Sequence, residues 1–250
     1  MTTADEYRRR VRTRHRAAFR LWSQASRTYR EALAVPRRRD TDLRIAVDML
    51  MMQASNTHDA ISIVAEHGLH EDAATLTRRL LELSIQATYI AKDESPKVRA
   101  RRAGSYLAYL WRKLPRKAKR VLPAIHRDEW SGTARSYGRF VRRGAKRWGP
   151  DWRTMFKECH AEDLYDSDYE FLSNAAHGAS AEQVIRFSSF PLTAHQDRHV
   201  SVLLVYSSRY LAILGEHWNE LFNIVPQTVV DQLRANLVAW RASHPPPDAA

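Results

Sequence analysis

The sequence predicts an all-α protein, a multi-helix bundle built on antiparallel helical hairpins. Three observations lead there. Apolar residues recur at spacings of three, four and seven along most of the chain. Helix start and stop signals bracket those runs. No stretch alternates apolar and polar residues, as a half-buried strand requires, over a useful length. With 250 residues, 44% of them hydrophobic and only 8 Gly, the chain is globular and long enough for a core of ordinary size.

Residues 4–34 read as one helix with an apolar stripe (Val11, Ala18, Leu21, Trp22, Tyr29) and arginines on its other faces. Pro36 and the 37–40 run break it. Thr41 is placed to cap a second helix, residues 43–67, that Gly68 ends. A short turn leads to a third helix from about residue 71 to 93, apolar on most of its circumference. The short link implies an antiparallel hairpin. Residues 97–114 form another helix, which Pro115 stops. From 116 to 149 the chain is basic and punctuated by Pro and Gly, as an insertion or lid would be. A short helix follows at 151–157.

Ser167 or Asp168 is expected to cap a helix that ends at His177–Gly178. Two capping boxes follow, at 180–183 and 193–196. The second opens a long helix, residues 194–224, with too much apolar surface for one face, so it belongs in the centre. A last amphipathic helix runs from Pro226 to about Trp240. The organisation expected is a basic N-terminal helix over 1–40, one helical domain over 41–243 with a basic, less regular insertion at about 112–157, and a disordered tail over 244–250.

Charge and cysteine usage narrow the function classes. The net charge of +12 alternates along the chain: +8 over 1–40, −5 over 41–96, +16 over 97–157 and −7 over 158–250. Such a field attracts RNA or another polyanion, and Arg142, Arg143, Lys146 and Arg147 are the binding residues expected in the basic block. Trp130, Tyr137 and Trp148 are available there for stacking on bases. The same arginines would also serve to solvate long helices and pair with the acidic blocks. No apolar run reaches the roughly 18 residues of a membrane span, and the N-terminus has no signal-peptide core. Cys159 is the only cysteine, which excludes an intrachain disulfide and a Cys-based zinc site. A cytoplasmic protein without membrane contact, metal or cofactor is expected.

Two stretches carry polar groups where chemistry is plausible. On the third helix, at about 100° per residue, Arg78 and Glu82 fall beside Ile85 and Tyr89 on a second apolar band. A pair there is partly buried and needs further partners; a surface i,i+4 pair worth a few tenths of a kcal/mol is the plainer alternative. Arg79 is the rival arginine. On the other stretch, Ser173 and His177 are i,i+4 neighbours at the margin of a buried face, with Asn174 beside them. His177 would act as general acid or base, or as a donor to phosphate; it would equally suit a helix end, where the dipole favours an imidazolium. His58, on the second helix, would extend a polar cluster toward Glu82, and Tyr89 adds a binding candidate.

The run Leu76-Thr-Arg78-Arg79-Leu-Leu-Glu82, then Tyr89-Ile90, then Tyr169-x-x-x-Ser173-x-x-x-His177-Gly178 resembles a widespread family of uncharacterised bacterial all-helical proteins. The resemblance covers roughly residues 44–210. It implies a domain similar to the HEPN (higher eukaryotes and prokaryotes nucleotide-binding) superfamily, often met in toxin and phage-defence settings. Many of those are metal-independent ribonucleases with Arg-x(4–6)-His on one helix. Here no Arg or Lys lies within eight residues before His177, so Arg78 would supply the arginine from another helix. The catalytic set so implied is His177, Arg78, Glu82 and Ser173. Beside it stands a non-catalytic reading, a module that binds nucleic acid or protein and holds a buried Arg–Glu–His network. A small-molecule pocket among the second, third and 194–224 helices, in a homodimer formed through exposed aromatics, is a further expectation.

Overall fold

A computed structural model of the chain describes residues 4–35, 41–113, 148–176 and 197–243. The helices are α1 (Ala4–Arg14), α2 (Arg16–Ala34), α3 (Asp42–Glu66), α4 (His70–Ala91), α5 (Pro96–Lys113), α6 (Trp152–Glu158), α7 (Glu170–Ala176), α8 (Asp197–Phe222) and α9 (Gln227–Ser243). One turn at Glu162–Leu164 and a π-helical turn at Tyr165–Tyr169 run into α7. No strand occurs among the described residues. The basic segment containing Arg142, Arg143, Lys146 and Arg147, both capping boxes, His177 and the tail lie outside them.

Two helices organise the rest. α4 packs against α3, α5, α6, α7 and α8, while α8 packs against α2, α3, α4 and α9. Their apolar circumferences are the reason: Leu80, Leu81, Leu83 and Ile90 of α4 and Leu204, Tyr210, Leu211 and Leu214 of α8 are all fully buried. The links are made by specific caps. Thr41 accepts from the Arg44 amide to start α3. Gly68, at φ 76°, ends it with the paired bonds Leu69 N to Val64 O and Gly68 N to Ala65 O. At the other end of the chain, Asn219 Oδ1 accepts from the amides of Ile224 and Val225 and holds the turn into α9.

The single N-terminal helix expected from the sequence is two helices, broken at His15. That residue is buried, and its Nδ1 lies 2.7 Å from Ser201 Oγ on α8. The break fits a tertiary tether, since no Pro or Gly marks it. A second difference concerns residues 167 and 168. Neither caps a helix. The turn starts at Glu162, after His160 in the left-handed region (φ 53°), and Ser167 and Asp168 fall inside the π turn. Ser167 Oγ donates to Asp163 O at 2.6 Å. Asp168 is claimed by α8, accepting from Tyr210 Oη at 2.7 Å and facing Arg209 at 3.5 Å. Those partners override the local preference of Asp for a cap.

His58 sits where α2, α3 and α8 meet. Its ring stacks on Trp22 at 5.5 Å, and Nε2 faces Ser208 Oγ at 3.3 Å. Ser208 donates its own proton to Leu204 O, so Nε2 carries the imidazole proton. Burial, with positive Arg30 nearby, pulls His58 down to about 3. The folded ring stays neutral while the unfolded one protonates near about 6.5. Stability from this group is therefore intact above about pH 6.5 and lost as the pH falls, by about 3 kcal/mol at pH 4. Denaturant unfolding at neutral and acid pH should show this loss, and His58→Gln should remove most of it. An equal acid loss in both proteins would contradict the assignment.

Candidate functional site

The site is built on one face of α4. Arg78 and Glu82 are a helical turn apart, and their side chains are 20% and 14% exposed, so the pair is largely buried. Arg78 Nε lies 3.3 Å from Glu82 Oε1, and Arg79 Nη1, from a half-exposed side chain, lies 3.3 Å from Glu82 Oε2. Glu82 thus receives both arginines. The rival arginines of the sequence reading belong to one cluster, which limits the cost of burying the carboxylate.

Among the described residues Tyr169 is a further partner of the kind a buried pair requires. Arg78 Nη2 donates to Tyr169 Oη at 2.8 Å, and its guanidinium carbon lies 4.8 Å from the centre of the same ring. Tyr169 is held from behind by Tyr165, stacked at 5.1 Å, and by Phe156 at 5.5 Å. Burial raises the Tyr169 phenol above its ordinary value, with Arg78 pulling the other way and Glu82 adding to the rise. It stays protonated at neutral pH. Because its oxygen accepts from Arg78, its proton can be given to an incoming oxygen.

The π turn explains how Asp168 and Tyr169 both serve the interior. Successive residues of a regular α-helix point about 100° apart; here Asp168 meets α8 and Tyr169 meets α4, and both are buried. Wide turns of this kind occur often at functional sites. Sequence reasoning missed Asp168, because Asp-x-x-x at the start of a helical run looks like a cap. It used Tyr169 as part of a motif without giving it a role.

The remaining candidates separate. Ser173, partly buried, lies on α7, which packs on α4. Asn174 belongs to α7, and His177 lies outside the described residues. His58 is directed to Trp22 and Ser208, so it does not extend the Glu82 cluster. Tyr89 is enclosed, with Arg102 over its ring at 4.2 Å and Trp148 against its edge at 5.8 Å. Arg102 also donates to the Tyr89 carbonyl at 2.7 Å and faces Asp93 and Glu158, which makes this a brace between α4, α5 and α6. Burial pushes the Cys159 thiol up to about 11, so it is a thiol, not a thiolate, at neutral pH. Among the described residues no three His, Cys, Asp or Glu side chains form a metal-binding group. None of the described helices is long and apolar enough to cross a membrane.

The fold and this cluster define an all-helical protein with an arginine–glutamate pair buried against a tyrosine of a second motif. Residues 45–189 match a family of unknown function (DUF5677), and the chain belongs to that family. The match spans α3 to α7 and contains Arg78, Glu82, Tyr169, Ser173 and His177. No curated protein and no solved structure matches the chain.

Proposed function

We propose that the protein acts on RNA or a nucleotide through the face of α4 that carries Arg78 and Glu82, as an HEPN-like helical protein. The observation that carries this reading is the bond from Arg78 to Tyr169. It joins two sequence motifs 91 residues apart at one point. In this reading Arg78 binds phosphate, Glu82 fixes the orientation of Arg78, and Tyr169 and Ser173 donate to phosphate or ribose oxygens. Asn174 adds a hydrogen bond. His177, the residue after α7, is the general acid or base, as in a metal-independent endoribonuclease of the toxin or phage-defence kind. The basic block with Arg142, Arg143, Lys146 and Arg147 draws in the polyanion. Exposed Arg9, Arg12, Arg16, Arg20 and Arg27 on α1 and α2 extend that field. Incubation with labelled RNA should give cleavage that His177→Ala abolishes. Intact RNA with the wild type, or equal cleavage by the variant, would sink the proposal.

A second reading has its own support in the burial of Arg78 and Glu82, whose charged groups are already engaged. There the cluster is a structural network in a module that binds nucleic acid or protein without catalysis. Glu82→Ala would then lower the melting temperature strongly, by leaving Arg78 buried beside Tyr169 without its carboxylate, and RNA would be bound and left intact.

A further inference from the structure

Residues 7–30 carry nine arginines and no Asp, Glu or Lys. A helix whose charges only solvate it mixes both signs, because i,i+4 pairs then support it. Here one sign and one residue type cover α1 and α2. Arginine is the side chain suited to phosphate, since its planar fork donates to two oxygens at once.

The arginines also share a face. The break at His15 is slight: the amides of His15 and Phe19 still donate to the carbonyls of Val11 and His15, at 3.0 and 3.1 Å. At about 100° per residue, Arg9, Arg12, Arg16, Arg20, Arg27 and Arg30 therefore fall within about 40° of one line. All six are exposed. The opposite face, with Val11, Ala18, Leu21, Ala25, Tyr29 and Ala32, is buried in the core. Arg12 and Arg30 pair with Glu66 and Asp59 of α3 at the flank. Arg9, Arg16, Arg20 and Arg27 form no ion pair among the described residues. At about 1.5 Å per residue the row is about 30 Å long, close to the length of one duplex turn.

The chemistry of this face selects its occupant. It is the convex side of a helix and offers no platform for a base. The Trp22 ring lies on His58, and its indole donates to the His58 carbonyl at 3.0 Å. Phe19 is covered by Arg12, 5.7 Å from its centre. Single strands are held in grooves whose aromatics stack on bases, and a bilayer surface takes up apolar side chains set beside the basic ones. Neither is on offer here, because the apolar side chains point into the core. A duplex presents what the row can read, closely spaced phosphates along a stiff rod. We propose that this face of α1 and α2 docks the phosphate backbone of double-stranded RNA without regard to sequence. The choice of RNA over DNA rests on the function proposed above; the row of arginines and its match to a duplex do not. The row shares no residue with the Arg78 cluster, so docking and cleavage are separable.

Fluorescence anisotropy of the full chain with labelled RNA duplexes, at several salt concentrations, tests this. Two duplexes of unrelated sequence should bind alike. Replacing Arg9, Arg16, Arg20 and Arg27 together by Gln should weaken both by about a hundredfold or more near 0.1 M salt. The slope of log K against log salt should fall by about 3–4, and by about one for Arg20→Gln alone. The same four positions changed to Lys keep their charge and should keep the slope. All of these side chains lie outside the core, so the melting temperatures should stay close to that of the wild type. An unchanged slope in the Gln variant, or an equal loss in the Lys variant, overturns the docking face. Tighter binding of single-stranded RNA, or of vesicles of phosphatidylserine and phosphatidylcholine, through the same arginines overturns the duplex as its occupant. Duplex DNA bound more tightly than duplex RNA overturns the choice of RNA. Cleavage of a short single-stranded RNA should persist in the Gln variant. Duplex binding by a wild type that cleaves nothing retains the docking face and removes the ribonuclease.

Discussion

Asp48→Ala should destabilise the fold by about 3–5 kcal/mol, the usual cost of removing one partner from a buried ion pair. Asp48 is 4% exposed and stands between α3 and α8. One oxygen accepts from the Trp218 indole at 2.8 Å, the other from Arg44 Nε at 3.1 Å. The Arg44 guanidinium is itself covered by the Phe222 ring, 4.2 Å away. Without the carboxylate, the Arg44 guanidinium and the Trp218 indole N–H lose the oxygens they donate to in the interior. For a chain of this size the loss corresponds to a fall in melting temperature of roughly 10 °C. Replacing both partners with apolar residues, Arg44→Met with Asp48→Leu, should recover much of the loss, since the stranded charge is gone. Thermal unfolding of the single and double variants measures this; a loss under about 1 kcal/mol for Asp48→Ala would place the pair at the level of a surface contact.

Gly215→Ala should also destabilise, and here the sign is informative. Gly in the middle of a helix costs about 1 kcal/mol relative to Ala, so propensity alone makes the substitution favourable. The packing reverses it. A Cβ at Gly215 of α8 would lie 2.2 Å from ring carbons of Tyr29 on α2, and Tyr29 is fully buried. Neither ring nor helix can retreat without opening the α2–α8 contact, and overpacking of this kind costs about 1–3 kcal/mol. Tyr29→Phe should not rescue the variant, because the clash is with the ring as well as the hydroxyl. Tyr29→Leu should rescue part of it. A Gly215→Ala protein as stable as the wild type, or more stable, would show that the two helices are not in this register.

These two sites show what the sequence does and does not encode locally. The helices, and the central places of α4 and α8, follow from apolar residues on too many faces for a surface helix. Thr41 and Gly68 mark the limits of α3 because caps and left-handed turns depend on near neighbours. Burial of Arg78 and Glu82 could be derived from a helical wheel, as could the need for a further partner. The identity of that partner could not. Tyr169 comes from a different helix, while His177, the partner the sequence suggests, lies outside the described residues. The break at His15, the π turn around Asp168 and the direction of His58 depend on residues distant in the chain, such as Ser201, Tyr210 and Ser208. In each case a tertiary contact competes with a local preference and wins.

We propose that Arg78 and His177, from separate motifs, work as one site on RNA. The most direct measurement is a double-mutant cycle on the rate of cleavage of labelled RNA, with wild type, Arg78→Ala, His177→Ala and the double variant, each shown by circular dichroism to be folded. The expected result is that each single change lowers the rate by about a hundredfold or more and that the double variant is no slower than the slower single, as for residues acting as a unit. Absence of cleavage by the wild type, or single losses that multiply in the double variant, would contradict it.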